Sequence, residues 1–185
     1  MIVRRKRYFK VMTILMAAVF FLAACGRPAA GPQAKNAEAA TNFQISDGPA
    51  APDWSLETLD GQTFELADHK GDVVVMFFMA SWCSSCILEA RALDQLYKDY
   101  ADQGLTVVAI NVEPEKNAEG LTQFRQQSFD APYAWTFDNE FKVTQLYGVK
   151  ALDTTFVIDR AGNIAYNDAY PTPYETLKKE VEKWL

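Results

Sequence analysis

Two of the three cysteines in this 185-residue chain lie close together, in the run Trp82-Cys83-Ser84-Ser85-Cys86. Sulfur acts as a nucleophile or metal ligand when it is a thiolate. Two thiols at Cys-x-x-Cys spacing can divide one reaction, the first attacking a foreign disulfide and the second resolving the mixed disulfide. Cys83 is expected to attack and Cys86 to resolve. As a mere crosslink the pair would achieve little, because so short a loop hardly restricts the unfolded chain. A structural zinc site needs four ligands. One histidine and two available cysteines do not supply them, so no metal is expected. Glu89 stands three residues after Cys86, near the buried side of the first turns of a helix. Burial there would raise its pKa and equip it to take the Cys86 proton. The plainer alternative is a first-turn carboxylate complementing the helix dipole.

The flanking residues say how such a pair would be held. Val73-Val74-Val75-Met76-Phe77-Phe78-Met79 is an unbroken apolar, β-branched and aromatic run, the pattern of a buried strand. Its methionines and phenylalanines read as core, not as a haem or copper box. Ile87 to about Ala101 is a strong helix former that stops at Gly104. The cysteines therefore fall where a central strand hands over to a helix N-terminus, whose free N–H groups favour a thiolate. Before the strand, residues 51–66 read as a hairpin turning at Asp60-Gly61. After the helix come a strand over 105–112, a helix over 117–128, a short strand over 133–137 and a short helix over 140–147. A strand over 154–159 and a hairpin partner over 164–167 follow. Thr172-Pro173-Tyr174-Glu175 reads as a capping box opening a terminal helix. Strands alternating with helices and then a hairpin predict an α/β sandwich with a mixed sheet. His69, the one histidine, is expected as a solvated loop residue, the alternative being a partner for Cys83.

Charge is unevenly distributed. The chain carries a net −6, yet residues 1–24 hold Arg4, Arg5, Lys6, Arg7 and Lys10 and no acid. Without those five, 13 basic residues face 24 acidic ones, a net −11. So acidic a domain argues against nucleic acid as a partner. The positive segment precedes an apolar stretch from Val11 to Ala24, too short for a comfortable membrane span. Leu22-Ala23-Ala24-Cys25 resembles a bacterial lipobox, which would make Cys25 the lipidated first residue and place the domain outside the cytoplasm, held to a membrane by its acyl chains. Residues 25–47, rich in Ala, Gly, Pro, Gln and Asn, read as a flexible tether, and 48–185 as the domain.

Taken together, the Trp-Cys-x-x-Cys motif, Glu89 and the block Tyr147-Gly148-Val149-Lys150-Ala151-Leu152-Asp153-Thr154-Thr155-Phe156-Val157-Ile158-Asp159 resemble the thioredoxin-like superfamily. The fit is best to the TlpA/ResA-like membrane-anchored thiol–disulfide oxidoreductases, related to the AhpC/TSA redoxins. The resemblance implies a three-layer sandwich, a mixed central sheet flanked by helices, with an N-terminal β-hairpin extension. It implies no cofactor. It assigns proton transfer to Glu89 and a substrate-contacting face to Trp82, Ser84, Ser85, Leu152 and Asp153. Clients would be disulfide-bearing exported proteins such as apocytochromes c, and electrons would come from a membrane thiol transporter of the CcdA/DsbD type. One departure stands out. The family has a cis-proline directly before Thr-Thr-Phe, and this chain has Asp153. Because a cis bond before a non-proline costs about 3–4 kcal/mol, a trans Leu152–Asp153 peptide and a rearranged loop are expected. Asp153 then either places a negative charge near Cys83 or points to solvent. Two alternatives share the cysteine pair: a disulfide-forming oxidase and a copper-binding chaperone. A peroxiredoxin-like peroxidase is disfavoured, since Met79-Ala80-Ser81-Trp82 lacks the Pro and Thr its motif requires.

Overall fold

The computed structural model describes residues 44–185. The expected signal segment, Cys25 and most of the expected tether lie outside the described residues. In chain order the elements are β1 (Ser55–Glu57), β2 (Thr63–Glu65), β3 (Val73–Met79), α1 (Cys86–Tyr100) and β4 (Leu105–Asn111). There follow α2 (Ala118–Gln127), β5 (Ala134–Phe137), α3 (Lys142–Leu146), β6 (Thr154–Ile158), β7 (Ile164–Ala169) and α4 (Tyr174–Glu182).

Every residue of β3 is buried, as its apolar run demands, and the strand lies at the centre of a five-stranded sheet ordered β5-β4-β3-β6-β7. Pairing is parallel from β3 through β4 to β5, and antiparallel from β3 through β6 to β7. This is the mixed sheet expected. Side chains alternate across a strand, so β3 feeds two cores. Val73, Val75, Phe77 and Met79 pack with Leu93 and Leu96 of α1, Leu121 and Phe124 of α2, and Leu177 and Val181 of α4. Val74, Met76 and Phe78 pack on the other face with Val143 of α3 and with Trp54, Phe64 and Leu66 around the β1–β2 hairpin. The hairpin extension turns at Gly61 (φ 76°) and touches the main sheet through a bridge from Thr58 to Thr136.

Local signals set most boundaries. α1 passes into a short 3-10 turn and ends at Gly104, whose φ of 87° is left-handed. The side chain of Asn117 caps α2 by accepting from the Gly120 N–H at 2.9 Å. The capping box expected at α4 is not formed. Pro173 is the N-cap residue, and the Thr172 hydroxyl is bonded to Asp168 and to the Tyr170 carbonyl. A tertiary partner has taken the group that would have capped the helix. Arg160 binds the carbonyls of Gly71, Gln103, Trp184 and Leu185, joining the entry to β3, the end of the 3-10 turn and the C-terminus. At the N-terminal edge of the described residues, the Ser46 N–H donates to Asp159 Oδ2 at 2.7 Å.

Candidate active site

β3 delivers the chain to Ala80, and a turn closed by the Cys83 N–H on the Ala80 carbonyl (3.0 Å) leads into α1. Cys83 and Cys86 form a disulfide across this turn, with Cα atoms 5.4 Å apart. The Cys86 N–H, at the first position of α1, lies 3.3 Å from Cys83 Sγ. It is a free donor of the helix N-terminus aimed at the outer sulfur. Cys86 is fully buried, whereas Cys83 retains 7% exposure, so only Cys83 offers a face to a partner. Trp82 is 72% exposed beside it, and Ser84 and Ser85 are exposed. Trp82 also borders a groove of about 430 Å³ lined by Glu113, Pro114, Lys116 and Asn117.

The Leu152–Asp153 peptide is trans, as the missing proline led one to expect. Asp153 adopts φ 56° and is buried, 5% exposed, against the disulfide. Of the two orientations open from the sequence, the side chain takes the one toward Cys83. Its Oδ2 accepts from Ser85 Oγ at 2.7 Å and lies 3.9 Å from Cys83 Sγ, while Ser85 Oγ is 3.3 Å from the same sulfur. This bond explains why Ser85, the N-cap residue of α1, makes no side-chain cap. Burial raises the Asp153 pKa; the Ser85 hydrogen bond opposes the rise and the charge of Asp168 adds to it. Asp153 Oδ1 is buried with no hydrogen-bond partner among the described residues. Leu152 is half-buried and, with Val112, Phe141, Val149 and Ala151, lines a hollow of about 220 Å³.

Glu89 lies within the first turn of α1 and is 1% exposed. Thr155 Oγ1 donates to its Oε1 at 2.5 Å, and the Thr172 N–H donates to its Oε2 at 3.1 Å. Its pKa is pushed up to about 8, chiefly by burial, against the lowering effect of these two bonds; the charges of Asp168 and Asp153 push it further. Asp168 is itself buried. It accepts from Tyr166 Oη (2.6 Å) and from the Thr172 hydroxyl, and it sits opposite Thr155 in the β6–β7 register. Three acidic side chains thus converge on the protein side of the cysteine pair. Thr155, Asp168 and Thr172 were not singled out in the sequence. Thr155 lies in the Thr-Thr-Phe block and Thr172 in the apparent capping box, but neither motif announces a carboxylate partner. His69 is not at the site. It stacks on Phe64 at 4.5 Å and lies near Thr106 and Asp72, beside the opposite end of β3, about 20 Å away at the rise of a strand.

Comparison with known proteins agrees with this geometry. Residues 48–167 match the AhpC/TSA family. The chain is 32% identical over 139 residues to the thiol-disulfide oxidoreductase ResA of Geobacillus thermodenitrificans, covering 75% of this chain and 78% of that one. It is 34% identical to ResA of Bacillus subtilis, covering 70% of each. Among solved structures, a Chlorobium tepidum protein described as a thiol:disulfide interchange protein DsbE superposes with a TM-score of 0.67 at 30% identity, over 75% of this chain and 97% of the other. The likeness bears out the thioredoxin-like fold.

Proposed function

The chain belongs to the AhpC/TSA family and, within it, to the ResA-like thiol–disulfide oxidoreductases, and from that premise we propose that it reduces disulfides of exported proteins through Cys83 and Cys86. The observation that carries the reading is the division of the pair: an outer sulfur that keeps some exposure at a helix N-terminus, and an inner one fully buried, three residues before a buried carboxyl in the same helix. Cys83 attacks a client disulfide as the thiolate. The helix N–H that points at its sulfur stabilises that charge. Cys86 then attacks Cys83 in the mixed disulfide and the client leaves reduced. Glu89, held by Thr155 and Thr172, accepts the Cys86 proton in that step. Trp82, Ser84, Ser85, Leu152 and Asp153 form the face that meets the client.

Charge supports the reducing direction. In the disulfide form Cys83 Sγ lies 3.9 Å from the Asp153 carboxyl, so a thiolate formed there faces a negative charge. Repulsion between them disfavours the reduced state and makes the dithiol a better donor of electrons. An extracytoplasmic reductase needs a supply of electrons, and a membrane thiol transporter of the CcdA/DsbD type fits that need. The basic segment, apolar stretch and Cys25 of the N-terminus support a lipid-anchored location. The reduction potential tests the reading. Equilibration of the full chain in detergent against thiol buffers is expected to give a reversible two-electron couple near about −270 mV. A value near about −120 mV would make the protein an oxidase, and absence of a couple would end the exchange mechanism.

A further inference from the structure

We propose that the reduced chain binds one zinc ion through Cys83 Sγ, Cys86 Sγ and the Asp153 carboxylate, with the fourth position open to solvent or to a client thiolate. The sequence lacks the four ligands of a closed structural site, but an open site needs only three from the protein. The fold brings the third from 67 residues beyond Cys86.

Ligand atoms of the three side chains all lie within 4.8 Å of one another, and all three residues are buried. In a tetrahedral site with Zn–S about 2.3 Å and Zn–O about 2.0–2.2 Å, neighbouring ligands stand roughly 3.5–3.8 Å apart. Cys83 Sγ and Asp153 Oδ2 are already 3.9 Å apart. The two sulfurs are too close, because they are bonded to each other. Breaking that bond moves them toward the required spacing. An independent observation is Asp153 Oδ1, buried and without a hydrogen-bond partner among the described residues, in a residue 5% exposed. A buried carboxylate oxygen left unsatisfied is costly, and a cation supplies what it lacks. The hydroxyl of Ser85, bonded to Oδ2, would orient the carboxylate as outer hydrogen bonds do at metal centres. A mixed sulfur and oxygen set suits borderline zinc better than copper(I), which prefers sulfur alone.

The chemistry balances without redox change at the metal. A dithiol donor passes two electrons and two protons to the disulfide, forming two thiols and its own disulfide. Zinc displaces the two thiol protons. When a client disulfide later takes two electrons from the thiolates and two protons from solvent, Cys83 and Cys86 rejoin and zinc leaves. Zinc would therefore hold the pair in the reduced state and withhold it from exchange.

The proposal rests on the exchange reading only in requiring that the pair open on reduction. Its test is the full chain in detergent, reduced anaerobically with a phosphine and titrated with Zn²⁺ against a chromogenic chelator, with Co²⁺ as a spectroscopic probe. One equivalent is expected on the reduced protein and none on the oxidised. Cobalt should give thiolate charge-transfer and tetrahedral visible bands. Asp153→Asn and Asp153→Ala should weaken zinc by at least about tenfold and alter the cobalt spectrum. No uptake by the reduced wild type overturns the site, and so does undiminished affinity in both variants. A normal reduction potential without zinc uptake sinks this proposal alone. Zinc uptake without a reversible couple sinks the exchange mechanism alone.

Discussion

Thr155 Oγ1 donates a 2.5 Å hydrogen bond to Glu89 Oε1, tying β6 to the first turn of α1, the helix that opens at Cys86. The bond fixes where the Glu89 carboxyl points. It also sets a pH dependence. The folded pKa of Glu89, about 8, lies above its unfolded value of 4.5. Its contribution to stability is therefore whole below pH 4.5 and is lost as pH rises through 8, a swing on the order of 5 kcal/mol. Glu89→Gln should flatten the fall in stability between those pH values, measured by urea unfolding across the range. In stopped-flow exchange it should slow resolution of the mixed disulfide by roughly 10²-fold and remove the inflection near pH 8. A kinetic inflection unchanged in the variant would dismiss Glu89 as the proton acceptor.

Cys86→Ser should leave Cys83 able to attack but unable to be released. A covalent complex with a disulfide-bearing client should then accumulate and be visible by intact mass. Cys83→Ser should give no complex. Should the two variants behave the other way round, the assignment of attacking and resolving sulfur is reversed.

Asp153→Asn removes the negative charge beside Cys83 while keeping the shape of the side chain. The reduced state should gain stability and the midpoint rise, by about 30 mV for each 1.4 kcal/mol. Redox titration in the presence of a chelator reads this directly. A fall in the midpoint would mean that the carboxyl stabilises the reduced pair.

Arg160→Ala should release the C-terminus from the loops it is bonded to. Charged hydrogen bonds contribute more than neutral ones, and a loss of about 2–3 kcal/mol in urea unfolding is expected with little change in the reduction potential. Unchanged stability would show that Gly71, Gln103, Trp184 and Leu185 are held by other contacts.

What was legible in the sequence was local. The β3 run, the Gly104 stop, the Asp60-Gly61 turn and the cysteine pair at the start of α1 each rest on neighbours within a few residues. Glu89 was legible because its distance from Cys86 is a helical one. The rest of the site joins residues remote in sequence. Thr155 and Thr172 reach Glu89 from separate segments, and no spacing rule connects them. Thr172 was misread for the same reason, since only the fold shows that Asp168 occupies its hydroxyl. Asp153 could be recognised as a departure, but whether it faced sulfur or water depended on a loop whose path the sequence does not specify.

That path also limits what position 153 can hold. Asp153 has φ 56°, and the ring of proline confines φ to about −65°. A codon change that restored proline here would meet a backbone turned to the opposite hand. The loop over 147–153 would have to be rebuilt at the same time. Exchange of the side chain alone would therefore not suffice: the hand of the backbone decides which residues position 153 accepts.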